Sequence, residues 1–80
     1  MKITILFFGI SADLIGKTEQ ELAFENSITV GAFILILKEK FPQLKNINSY
    51  AIAVNEIYAE NAFILKEGDV VAIIPPVSGG

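Results

Sequence analysis

Hydrophobic and polar positions alternate along residues 2–8 of this 80-residue chain. Ile3, Ile5 and Phe7 fall on one face, and Lys2, Thr4, Leu6 and Phe8 on the other, so the pattern predicts a first strand. The second face is polar where it starts and apolar at its far end. Gly9 breaks the strand, and Ser11 is placed to N-cap a short helical turn over residues 12–15 that Gly16 closes. Residues 19–25 read as a second strand, with Leu22 and Phe24 inward and Glu19, Glu21 and Glu25 toward solvent. Strands this close in sequence predict a hairpin pairing across the excursion between them.

The period then changes. Val30, Phe33, Ile34, Leu37 and Phe41 share one stripe at helical spacing, although residues 33–37 alone would also suit a buried strand. Thr29 fits the N-cap, Lys38 and Lys40 lie in the last turn where the helix dipole favours cations, and Pro42 ends the helix. Leu35 and Ile36 flank the stripe as further core or as a contact surface. Residues 42–49 read as a polar connection. A strand over residues 50–54, a tight turn at Asn55-Glu56 and a short return strand over residues 57–59 follow. Residues 61–65 read as irregular, with Phe63 and Leu65 as core plugs. Lys66-Glu67-Gly68-Asp69 is a turn in which Gly68 supplies a positive φ. Residues 70–74 form a strongly β-prone last strand that Pro75-Pro76 stops. Its Val71 and Ile73 belong to the core, its Val70, Ala72 and Ile74 to the opposite face.

The order β-β-α-β-β-β predicts one α+β domain over residues 1–80, a mixed five-stranded sheet with one main helix packed on one face. The last strand, apolar on both sides, should lie centrally. This is the β-grasp arrangement of ubiquitin-like proteins, although periodicity fits other α+β sheets equally well.

Composition narrows the chemistry. The chain has no Cys, no His and no Arg, which excludes disulfides and thiolate metal sites and leaves zinc only carboxylates. No metal site is expected. At 52% hydrophobic residues and a mean hydropathy of +0.56, the chain is more apolar than so small a core needs, which points to apolar surface that meets a partner. The net charge is −3 and the six lysines are scattered. Nucleic acid is therefore a poor partner, and electrostatic steering would favour a basic surface on another protein. Lys2 followed by an apolar stretch and small residues imitates a short signal peptide, but reads better as a buried strand. The longest other apolar run, residues 32–37, is far too short to span a bilayer. A cytoplasmic protein is expected.

One feature can still do chemistry. The sequence closes on Ile74-Pro75-Pro76-Val77-Ser78-Gly79-Gly80, with residues 75–80 as an extended tail. The strand runs strongly up to it, the double proline stiffens its exit, and two glycines make a tip thin enough for a tunnel that excludes side chains. A carboxylate at Gly80 is a poor acyl donor by itself. Attachment of AMP by another enzyme would give it a good leaving group. Attack by a sulfur donor would then leave a thiocarboxylate, and attack by a lysine amine an isopeptide. Neither route asks this chain for an acid, a base or a metal.

At these residues the chain resembles the small, sulfur-carrying subunits of molybdopterin synthase, the MoaD family of ubiquitin-like sulfur carriers. The resemblance runs along the whole chain. It rests on Ile3-Thr4-Ile5-Leu6-Phe7-Phe8-Gly9, Thr29-Val30 opening the helix, Ala53-Val54-Asn55 before a turn, Leu65-Lys66-Glu67-Gly68-Asp69-Val70-Val71, and the tail itself. It implies a β-grasp fold and adenylation of Gly80 by an E1-like, MoeB-like enzyme that consumes ATP, with no cofactor bound by this chain. Thiocarboxylation would follow. Pro75, Pro76, Val77, Ser78 and Gly79 would thread the tail into the large, MoaE-like synthase subunit. There sulfur would pass from Gly80 to cyclic pyranopterin monophosphate, within a heterotetramer of two small and two large subunits. Such a chain is a sulfur-donor subunit without an active site of its own beyond the C-terminal carboxylate.

The family's docking surface is an apolar patch on the sheet face away from the helix. Carried over by position it comprises Phe8, Tyr58 and Ile74, and the strand alternation adds Leu6. Family members usually carry a basic residue after the first strand, whereas Ile10-Ser11-Ala12-Asp13 has none. Alternative readings are a carrier for another sulfur-containing product such as thiamine, and a ubiquitin-like protein modifier. These share the activation step and differ in the acceptor.

Overall fold

The computed structural model describes residues 1–46 and 50–75. Strand β1 (Lys2–Phe7) is followed by helix α1 (Ile10–Ile15), strand β2 (Glu19–Ala23) and helix α2 (Val30–Lys40). A 3₁₀ turn (Pro42–Asn46) leads to strands β3 (Ala51–Val54), β4 (Ile57–Tyr58) and β5 (Val70–Ile74). The sheet order is β2-β1-β5-β3-β4, in which β1 and β5 are parallel and the other neighbours antiparallel. With α2 packed on one face, this is a mixed five-stranded β-grasp fold. The last strand is central, as its two apolar faces require.

The alternation of β1 decides which side is core. Ile3, Ile5 and Phe7 are buried and pack with Val71 and Ile73 of β5, Ile52 and Val54 of β3, and Val30, Phe33 and Leu37 of α2. Ring pairs Phe7–Phe41 and Phe24–Phe33 meet edge to face at 5.4 and 6.1 Å, a geometry that lets the ring edge meet the electron-rich face. Helix α2 opens where the sequence says it should: Thr29 is extended, and its hydroxyl accepts from the Ala32 N–H at 3.2 Å.

Three expectations are corrected. Ser11 is not the N-cap of α1. Gly9 holds that position at φ +54°, ψ −134°, and Ser11 lies inside the helix, buried, donating its hydroxyl to the Phe8 carbonyl at 2.6 Å. The chain must turn sharply out of β1, and only glycine takes that backbone conformation cheaply. Phe63 is half exposed and does not plug the core. The loop there is set by backbone bonds, Val30 N–H to the Phe63 carbonyl and Leu65 N–H to that of Ile28, both 2.8 Å, and these point Leu65 inward. The polar connection over residues 42–49 hides a 3₁₀ turn that buries Leu44 completely. Of the two alternatives for Leu35, the structure selects the surface one, an exposed position of α2. No helix among the described residues is long and apolar enough to cross a membrane.

Candidate functional site

With both helices and the core on one side, the other face of the sheet is left open. Register dictates what stands there. Leu6 is opposite Glu19 on β2 and Ala72 on β5; Ala72 is opposite Ala53 on β3, and Ala53 opposite Tyr58 on β4. One row across the sheet therefore reads Glu19, Leu6, Ala72, Ala53, Tyr58. Two alanines stand at its middle with larger side chains on both sides. Small residues in the centre of a pleated row leave a depression.

That depression is a groove of about 570 Å³ lined by Leu6, Phe8, Ala53, Asn55, Glu56, Tyr58, Val70, Ala72 and Ile74. Phe8 is 48% and Tyr58 72% exposed, an unusual amount of aromatic surface to leave open beside an apolar floor. Leu6, Phe8, Tyr58 and Ile74, singled out from the sequence as one patch, all line it. Val70 and Ala72 join them through the alternation of β5. Ala53, Asn55 and Glu56 are lining residues that the sequence reading did not single out. The pairing of Ala53 with Ala72 was the missing signal, and it becomes visible only when β3 is known to lie beside β5.

The tail leaves from one end of this groove. β5 runs parallel to β1, so Ile74 and Pro75 emerge where β1 ends in Phe8 and Gly9. The Phe8 N–H donates to the Ile73 carbonyl at 3.3 Å, and a Cβ on Gly9 would stand 3.8 Å from the Pro75 Cγ. Pro75 is thus seated against the strand exit, half-buried. Pro76, Val77, Ser78, Gly79 and Gly80 lie outside the described residues.

A polar clamp fixes the other end. Asn55 Nδ2 donates to Asp69 Oδ1 at 2.9 Å, the Val70 N–H to Asn55 Oδ1 at 3.0 Å, and the Lys66 N–H to Asp69 Oδ2 at 2.8 Å. Backbone bonds run from Asn55 N–H to the Val70 carbonyl at 2.8 Å and from Thr4 N–H to that of Asp69 at 3.1 Å. Gly68, at φ +84°, makes the turn possible. The motif residues Asn55, Gly68 and Asp69 therefore act as one device that starts β5 in register between β1 and β3.

The described residues hold no cluster of three or more His, Cys, Asp or Glu side chains able to bind a metal ion. Tyr50 has a displaced pKa. Burial pushes its phenol up, on the core side of the sheet and outside the groove.

Residues 5–80 match the ThiS family. The chain belongs to that family. Among its relatives is the molybdopterin synthase sulfur carrier subunit of Mycobacterium tuberculosis, 33% identical over 82 residues that cover 100% of this chain and 99% of the relative. The family fold is shared with SAMP1 from Haloferax volcanii (TM-score 0.88, 22% identity, all of both chains covered). It is shared also with a chain in the complex of subunits 1 and 2 of molybdopterin-converting factor from Helicobacter pylori (TM-score 0.73, 32% identity, all of both chains covered).

Proposed function

We propose that this ThiS-family chain is the sulfur-carrier subunit of a molybdopterin synthase and works in the cytoplasm. End-to-end similarity to the M. tuberculosis sulfur carrier subunit is the observation that carries the reading. The groove beside the tail root supports it, because a donor tail must be delivered by a body that docks.

The chemistry is located at Gly80. Its carboxylate oxygen attacks the α-phosphorus of ATP on an E1-like, MoeB-like activating enzyme, forming an acyl adenylate and releasing pyrophosphate. A sulfur donor then attacks the acyl carbon and expels AMP, leaving a terminal thiocarboxylate. Docking on the large, MoaE-like subunit through Leu6, Phe8, Tyr58 and Ile74 brings the tail into that subunit's site. There the sulfur adds to cyclic pyranopterin monophosphate, and water cleaves the acyl–sulfur bond to restore the carboxylate. The carrier itself moves no proton. Its contribution is position, since a tethered reactant reacts far faster than a free one at cellular concentrations. The subunit complex seen for the H. pylori relative, 32% identical to this chain, supports a large-subunit partner.

Adding one alanine after Gly80 tests the reading. The extended chain should fold normally and bind its large subunit, yet support no pterin sulfuration in a reconstituted assay. Undiminished sulfuration by the unprocessed, extended chain would overturn it.

A further inference from the structure

The groove has an apolar floor and one carboxylate on its rim. Glu56 lines it at the β3–β4 edge. Glu19 and Glu21, opposite Leu6 and Thr4 in the register, stand on the same sheet face at the β2 edge outside the groove lining, and Lys2 shares that face. None of the six lysines lines the groove.

Glu56 differs from the other two in its backbone. Val54 and Ile57 pair across a two-residue turn in which Asn55 has φ +50° and Glu56 φ +72°. Asparagine tolerates the left-handed region, and glycine is the residue such a turn favours at its second position. A glutamate there is strained. The described residues give its carboxylate no hydrogen bond and no ion pair, so nothing within the fold accounts for it. Its side chain is exposed at the groove, where an apolar partner surface would arrive.

We infer that Glu56 is a specificity residue of the docking surface, pairing at the groove rim with a lysine or arginine of the large synthase subunit. The inference rests on the docking reading above and adds the sign of charge that the partner must present. A partner surface with an apolar centre and a cation facing Glu56 fits this groove; an acidic group at that point is repelled by the Glu56 carboxylate.

The test compares Glu56→Gln, which removes the charge, with Glu56→Gly, which also relieves the turn. Affinity for the large subunit of the same organism is measured by titration calorimetry at low and high salt, and Tm is measured for each variant. Both variants should bind roughly three- to tenfold more weakly at low ionic strength. The difference should shrink below about twofold in concentrated salt, which screens a rim pair. Glu56→Gly should keep or raise the Tm. Unchanged low-salt affinity, a salt-independent loss, or a lowered Tm for Glu56→Gly would each overturn the assignment. Phe8→Asp separates the two levels. If it too leaves affinity unchanged, the docking reading fails; if it weakens binding while the Glu56 variants do not, only the role of Glu56 fails.

Discussion

Tyr50 shows how a single side chain carries a cost that the fold tolerates. Its ring packs against the core, but among the described residues its buried hydroxyl has no hydrogen-bond partner. An unsatisfied buried hydroxyl costs on the order of 1 kcal/mol or more. Tyr50→Phe should therefore raise the Tm by about 4–8 °C per kcal/mol recovered, read by thermal denaturation. The pH dependence has a definite sign. Burial raises the folded phenol above its unfolded value of about 10, so above that pH the unfolded chain loses its proton first and stability falls. The Phe variant should show a smaller alkaline loss. A lower Tm for Tyr50→Phe would mean that the hydroxyl is satisfied and the account of it wrong. At this scale the sequence was a partial guide. Thr29 was legible as a cap because its side-chain chemistry is local. The cap at Gly9 is not legible in the sequence, because a glycine's backbone angle depends on where the next element must go.

Among the elements, β5 ties the groove to the tail, and the Asn55–Asp69 clamp sets its register. A slip of one residue would exchange Val71 and Ile73 for Val70 and Ala72, moving the core set onto the groove face. Asp69→Ala removes the acceptor for both Asn55 Nδ2 and the Lys66 N–H. Loss of two such bonds at a partly exposed site should cost about 1–2 kcal/mol, a fall in Tm of several degrees with the sheet otherwise intact. An unchanged Tm would remove the clamp from the account. The strands and α2 were legible because their periods of 2 and 3.6 are written in consecutive residues. The stretch from 42 to 46 was not, since one apolar residue, Leu44, carries its whole burial. The exposure of Phe63 is hidden for a related reason: in an irregular loop, backbone bonds to Ile28 and Val30 decide which side chain turns inward.

In the whole molecule, the β-grasp topology places the last strand at the centre of the sheet and leaves one face open beside the tail root. The helices cover only the other face, so Leu6, Phe8, Tyr58 and Ile74 converge on a groove that ends where Pro75 departs. The patch was legible in outline from alternation and family resemblance. Its depth was not, because it comes from Ala72 and Ala53 meeting across strands 19 positions apart in sequence. In the proposed docking, the Glu56 carboxylate at the rim would add direction to an otherwise apolar contact. The central claim, that this body exists to deliver a sulfur on Gly80, is tested most directly by the intact mass of the chain after incubation with ATP, its activating enzyme and a sulfur donor. The account predicts replacement of one terminal oxygen by one sulfur, localised to Gly80 by fragmentation and reversed when the large subunit and pterin substrate are added. A chain that keeps its carboxylate under these conditions, or that accumulates instead as isopeptide adducts on lysines of other proteins, would contradict it.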